Sequence, residues 1–379
     1  MTVMVIPVER SPGEKRVAAT PETVRQYVSA GFRVQVERGA GAAAGYADEA
    51  YVTSGGELVD DVAAAAGGAD VVLRVGPVSA EEASAMREGA LLVSLMDADR
   101  NLDAVRALAA RSVSCLAMEL VPRISRAQSM DALSSQSNLA GYKAVLLGAT
   151  RLPRFFPLLM TAAGTIRPAT VVIMGAGVAG LQAIATAKRL GAVVEVSDIR
   201  EAAREQVESL GAKFIDLPMQ ESGEGAGGYA REVSEAFLQE QRAIVRERIL
   251  RADVVVTTAL VPGRPAPRLI DADTVRAMKP GAVIVDMAAV RGGNCELTVP
   301  DEEVTVGAVT VLGPTNLAAS MAFDASALYA RNIRALLELV APRAQVSLDL
   351  EDEIVAGSLL THAGQVRHAP TAALLGGVQ

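Results

Sequence analysis

The chain has 379 residues, long enough for two domains that each bury a core of their own. Half of it is apolar, carried by Ala, Val and Leu with no Trp, and its formal charge of −8 argues against a nucleic-acid partner, as no basic patch is interleaved with aromatics. Cys115 and Cys295 lie far apart without metal-ligand spacing, which predicts two buried thiols in a reducing compartment and no metal site.

Val3–Val8 reads as a first strand, with no basic segment before an apolar core and hence no secretory signal. Thr20 and Pro21 then open a helix as N-cap and first helical residue, and Gly31 stops it. Apolar runs at Phe32–Val36, Val71–Val75, Leu91–Leu95 and Val113–Met118 alternate with helical stretches such as Ser79–Arg87 and Leu102–Arg111. That alternation predicts a parallel sheet with crossover helices. A polar run follows from Val121 to Val145, crowding Arg123, Arg126, Gln128, Asp131 and Ser134 ahead of a helix. It reads either as a surface loop with a helix cap or as a domain-boundary loop that hydrogen-bonds a polar ligand. Arg154–Arg167 has two short apolar runs around Thr161-Ala-Ala-Gly164, which suits a hairpin whose apolar side chains make a subunit contact.

The most informative stretch runs from Ala169 to Arg200. A β-branched run (Val171, Val172, Ile173) turns through Gly175-Ala-Gly177-Val-Ala-Gly180 into an Ala-rich helix, and a second apolar run from Val193 closes on Asp198, 23 residues after Gly175. Strand, glycine turn, helix, strand and acid is the order of a dinucleotide-binding unit. Gly175 allows the tight turn, Gly177 admits a pyrophosphate, and Gly180 lets the helix pack on the strand. The helix N-terminus offers N–H groups to phosphate. Asp198 suits the hydroxyls of the adenosine ribose and repels a 2′-phosphate, which favours NAD(H). Pro168–Ala187 lacks charge and could span a bilayer by length, but its glycine turn makes it strand plus helix.

Further βα units follow. They comprise helix Glu201–Leu210, strand Ala212–Ile215, a long helix from about Tyr229 to Leu250, strand Val254–Thr257, helix Asp271–Met278 and strand Val283–Asp286. Gln220–Tyr229, rich in Gly and acid, reads as a linker or as a hinged lid in which Tyr229 covers a cofactor. Val306–Leu312 gives one or two strands, a helix spans about Ala319–Val340, and Gln345–Gln365 alternates in strand fashion. The tail is expected to return to the N-terminal domain. The two histidines, His362 and His368, sit far in sequence from both the polar loop and the glycine turn. A nucleotide site with no proton-transfer residue points to hydride passing directly between two nicotinamide rings, which needs proximity alone.

These residues resemble one family closely, the NAD(H)-binding component of proton-translocating NAD(P) transhydrogenase in its split-alpha-subunit form, and the resemblance covers essentially the whole chain. It is carried by Pro122–Tyr142, Phe156–Thr165, Gly177–Ala192, Ala226–Ala230, Thr257–Pro267 and Gly292–Cys295. It implies an α/β fold of two Rossmann-like, doubly wound parallel-sheet domains with the cofactor in the cleft between them. One is expected from 1–136 plus 318–379, and the NAD(H)-binding one from 137–317. By resemblance, Arg123, Asp131 and Ser134 hold the nicotinamide carboxamide and ribose, and Gln128 reaches NADP(H) on the partner. Gly175, Ala176, Gly177, Val178 and Gly180 meet the pyrophosphate turn, and Asp198, Ile199 and Arg200 surround the adenosine ribose. Gly228 and Tyr229 belong to a closing loop, and Leu260 packs near the cofactor. The implied partners are a second copy of the chain, an NADP(H)-binding beta subunit and a small membrane-spanning alpha subunit. The location is the cytoplasmic face of the inner membrane, without insertion. The alternative is an alanine-dehydrogenase-like oxidoreductase. Arg16 resembles that family's carboxylate-binding arginine, but Leu73–Val78 and Ser94–Asp99 supply Arg74 and neither Lys nor His.

Overall fold

A computed structural model describes residues 1–218, 235–260 and 263–376, in two compact units. One comprises Met1–Gln136 with Ala318–Gln379, the other Ser137–Leu317.

The first unit opens with β1 (Val3–Ile6), β2 (Arg33–Glu37), β3 (Glu57–Val59), β4 (Val71–Leu73), β5 (Leu91–Ser94) and β6 (Ser114–Ala117). Between β1 and β2 the helix Pro21–Ala30 starts on a reciprocal cap, in which the Thr20 hydroxyl accepts from Thr23 N–H and the Thr23 hydroxyl accepts from Thr20 N–H. Gly31, at φ 102°, ends it in a left-handed turn that a side chain would resist. β4, β5 and β6 are wholly buried because helices cover both faces; in β4, Val71 and Leu73 enter one core layer and Val72 the other. The edge strand β3 was missed by sequence reasoning. Its three residues, Glu-Leu-Val, are partly exposed and carry too short an apolar signal.

The second unit begins with the hairpin β7 (Leu159–Thr161) and β8 (Gly164–Ile166), paired antiparallel where the sequence suggested a hairpin. Its main sheet is built from β9 (Thr170–Met174), β10 (Val193–Ser197), β11 (Lys213–Phe214), β12 (Val254–Thr257), β13 (Val283–Asp286), β14 (Glu303–Val306) and β15 (Val309–Leu312). The spatial order is β11-β10-β9-β12-β13-β15-β14, parallel throughout except for the edge pair β14–β15. Of the long helix expected from Tyr229, the described part is Glu235–Arg251. The Gln220–Tyr229 stretch, with Gly228 and Tyr229, lies outside the described residues.

After the helix Ala322–Val340 the chain adds β16 (Leu359–His362) and β17 (Gln365–Val366) to the first sheet, giving β17-β16-β6-β5-β4-β1-β2-β3. The strand pattern read over Gln345–Gln365 is corrected here. No strand forms before Leu359, because Asp352 caps a helix over Glu353–Ser358, accepting from Ile354 N–H at 2.8 Å. Both sheets thus carry the doubly wound order, with winding reversed between β1 and β4 in one and between β9 and β12 in the other. No helix among the described residues is long and apolar enough to cross a membrane.

Candidate functional site

The reversal between β9 and β12 is where the glycine turn sits. Gly175 leaves β9 at φ 105°, and a β-carbon there would collide with the Thr258 hydroxyl on the loop after β12. That hydroxyl bonds the Met174 and Gly175 carbonyls at 3.2 and 3.1 Å, tying the two diverging loops together. Gly180 is a close-approach position, since its β-carbon would lie 2.8 Å from the Gly175 carbonyl carbon and closer still to the oxygen. Gly177 differs. It is exposed, nothing stands within 4 Å of where its β-carbon would point, and it caps the helix Val178–Arg189 with no side-chain hydrogen bond. The first-turn amides therefore meet open space, and that space suits a pyrophosphate.

Asp198 follows β10 and is buried. Its carboxylate accepts from Ala176 N–H at 2.7 Å, from Arg200 N–H at 2.8 Å, and from the Arg200 guanidinium at 3.0 and 2.9 Å. Burial disfavours the charged form, but the Arg200 fork and the two amides outweigh it and hold the carboxyl below its ordinary range. The acid thus braces the glycine turn as well as facing the expected ribose position, and Arg200 is its partner. Ile199 beside it is 97% exposed. Leu260, half-exposed, is carried on the loop after Thr258.

Sequence reasoning assigned no role to Asn294 and Asp286, which shape that loop. Fully buried Asn294 donates to the Ala259 and Pro267 carbonyls at 2.9 and 2.8 Å and accepts from Ala259 N–H at 3.1 Å. Asp286 accepts from Thr257, Ala288, Cys295 and Thr298 at 2.7–3.0 Å. The signal was present in the Thr257–Pro267 and Gly292–Cys295 segments, but which side chain clamps which carbonyl is a tertiary fact.

The second expected group lies in the first unit. Ser125–Met130 forms a 3-10 turn in which Gln128 is exposed, as is Arg123 just before it. Asp131 then caps the helix Ala132–Arg151, accepting from Ser134 N–H at 2.8 Å and from the Ser134 hydroxyl at 2.6 Å. Both readings of this segment are therefore physically present, because a carboxylate engaged by one serine keeps acceptor capacity for a ligand.

The matching reversal in the first unit, between β1 and β4, is filled from within. Arg74 pairs with Glu9 at 3.3 Å and Glu82 at 2.8 Å, and Glu9 accepts from Val75 N–H at 2.6 Å. Burial pushes the Glu9 carboxyl up against the pull of Arg74. Arg16 is likewise buried, held by Glu14 at 2.6 Å and donating to Gln136 at 2.8 Å. His362 contacts Ser114 and His368 contacts Thr371. Cys115 and Cys295 are buried free thiols.

Two family models together span nearly the whole chain: "Alanine dehydrogenase/PNT, N-terminal domain" over 5–140 and "Alanine dehydrogenase/PNT, C-terminal domain" over 144–369. The chain belongs to the alanine dehydrogenase/PNT family. Within this family it is 48% identical to the first piece of the two-piece NAD(P) transhydrogenase subunit alpha of Rhodospirillum rubrum, covering 96% of this chain and 97% of that one. The transhydrogenase structure from Sinorhizobium meliloti is 46% identical, with a TM-score of 0.87 over 96% of this chain and 99% of that one. An L-alanine dehydrogenase structure is 27% identical, with a TM-score of 0.82 over the full length of both. The family fold is thus the pair of Rossmann-like sheets described above.

Proposed function

We propose that this chain is the NAD(H)-binding subunit of a proton-translocating transhydrogenase. In this reading hydride passes directly between NADH on this chain and NADP+ on a beta subunit, coupled to proton movement through a membrane-spanning alpha subunit. What carries the reading is the contrast between the two sheet reversals. The one with the glycine turn is open at Gly177, whereas the other is filled by Arg74, Glu9 and Glu82. Similarity to transhydrogenase alpha subunits supports it independently.

When bound, NADH supplies the hydride. The chain's own residues bind and orient. Ala176, Gly177 and Val178 would present the pyrophosphate seat, Gly175 and Gly180 would set its shape, and Asp198, Ile199 and Arg200 would take the adenosine ribose. Leu260 would supply an apolar contact. Arg123, Asp131 and Ser134 would hold the nicotinamide carboxamide and its ribose, and Gln128 would reach NADP(H) on the partner. Gly228 and Tyr229 are assigned to a closing loop by the same resemblance. No proton need move at the reacting carbons, so no acid or base is required beside them, and orientation alone supplies the rate. The hairpin β7–β8 exposes Met160 (71%) and Leu158 (54%), which supports a homodimer contact there. In this reading the subunit sits on the cytoplasmic membrane face through its partners.

The test mixes the purified chain with its NADP(H)-binding partner and follows NADH-dependent reduction of an NADP+ analogue. Turnover well above either component alone is expected. Its absence, or pyruvate- and ammonia-dependent NADH oxidation by the isolated chain, would replace this reading with the amino-acid one. Arg16 speaks against that outcome, since Glu14 already fills its guanidinium.

A further inference from the structure

Asn332 lies in the middle of the helix Ala322–Val340, only 8% exposed, on a face whose neighbours Tyr329, Ile333 and Leu336 are buried. An amide in such a place destabilises the fold unless both of its ends are paired. Here both are. Its Nδ2 donates to the Ser129 carbonyl at 2.8 Å, and its Oδ1 accepts from the Ser135 hydroxyl at 2.7 Å. The orientation of the amide follows from chemistry, because a backbone carbonyl can only accept.

We propose that Asn332 is a positioning residue that fixes the turn carrying Gln128. The proposal rests on the reading above, in which Gln128 reaches the second nucleotide. Ser129 directly follows Gln128, and Ser135 lies in the first turn of the helix that Asp131 caps, so one side chain staples both flanks of the segment 128–135. The staple is itself braced from behind. Gln136 Nε2 donates to the Ser135 hydroxyl at 3.3 Å and to the Ala325 carbonyl at 3.1 Å, and its Oε1 accepts from Arg16. On the solvent side the turn is held by Arg126 with Asp352, an exposed pair at 2.7 and 3.0 Å that competes with water. The buried amide is therefore the firmer anchor, and only a side chain that donates and accepts at that reach can serve. Aspartate keeps the acceptor but turns a second oxygen toward the Ser129 carbonyl.

Asn332→Asp and Ser135→Ala are the test, with Ser326→Ala as control. Ser326 lies on the same helix, accepts from Val17 N–H at 3.0 Å and does not touch the turn. At pH 8, Asn332→Asp is expected to speed amide exchange over 125–131 tenfold or more. Hydride transfer with the NADP(H)-binding partner should slow about tenfold, with the NADH dissociation constant within twofold of the parent. Lowering the pH to 6 should restore both, because a protonated carboxyl again donates to Ser129. Ser135→Ala should loosen the same amides to a lesser degree. Ser326→Ala should lower Tm and change neither readout. Parental exchange rates over 125–131 in both variants would overturn the proposal, as would a loss of transfer that merely tracks Tm across all three. If the parent chain itself shows no transfer with its partner, the transhydrogenase reading fails, and amide exchange alone still decides Asn332.

Discussion

Two glycines three residues apart are predicted to fail in opposite ways. Replacing Gly180 by Ala puts a methyl 2.8 Å from the Gly175 carbonyl carbon, where ordinary carbon contacts are about 3.5 Å or more, so backbone must move by roughly 0.7 Å. Both sides of that contact are main chain, one the turn leaving β9 and the other the helix Val178–Arg189, and neither has a rotamer to change. Overpacking of this kind destabilises by about 3 kcal/mol, which lowers Tm by roughly 6–12 °C in a unit of this size. Replacing Gly177 by Ala places the methyl in open space, at φ −76° and ψ −169°, a conformation alanine adopts freely. Its stability should stay within about 0.5 kcal/mol of the parent. The same methyl would stand where a pyrophosphate must approach the first-turn amides, so NADH affinity is expected to fall at least about tenfold, or about 1.4 kcal/mol. Thermal unfolding and NADH fluorescence titration on the two variants separate the effects. Parental NADH affinity in Gly177→Ala would show that no phosphate passes there, and a parental Tm in Gly180→Ala would refute the packing argument.

Asp198→Ala should lower both NADH affinity and Tm, because it removes the ribose acceptor and leaves Ala176 N–H without its partner, about 1–3 kcal/mol on stability; parental affinity by titration would remove Asp198 from the site. Met160→Asp on the exposed hairpin should convert a homodimer to monomers with Tm little changed, as read by light scattering, and a dimer that persists would move the contact elsewhere. Glu119, beyond β6, gives the pH prediction. Burial pushes its carboxyl from an ordinary 4.5 up to about 7, against the Met96 and Asp97 amides that favour its charge. The folded state therefore holds this proton more tightly than the unfolded chain, and stability is lost as pH rises from about 4.5 through about 7. Glu119→Gln should raise stability at pH 8 by up to about 3 kcal/mol and change it little at pH 5. A gain of equal size at both pH values would refute the burial argument.

The sequence by itself determined the second sheet's nucleotide turn. Strand, glycine spacing, helix and acid are contiguous between Ala169 and Arg200, and each is fixed by local backbone rules such as the positive φ at Gly175. It likewise determined the Thr20–Pro21 helix start and the Arg154–Arg167 hairpin, which depend on neighbours a few residues away. Tertiary structure alone decided that β16 pairs with β6, and that Asp352 diverts an apparent strand into a capped helix. It also decided that Asn294, Asp286 and Asn332 clamp particular loops. Those outcomes depend on which buried carbonyl or amide lies within hydrogen-bonding reach of a side chain, in Asn332's case about two hundred residues away, and no periodicity in the chain encodes that distance. Arg16 marks the boundary most sharply. Its residue type suggests a carboxylate-binding arginine, but only the folded chain reveals that the carboxylate it holds is its own Glu14, because burial leaves a guanidinium stable only beside a paired charge.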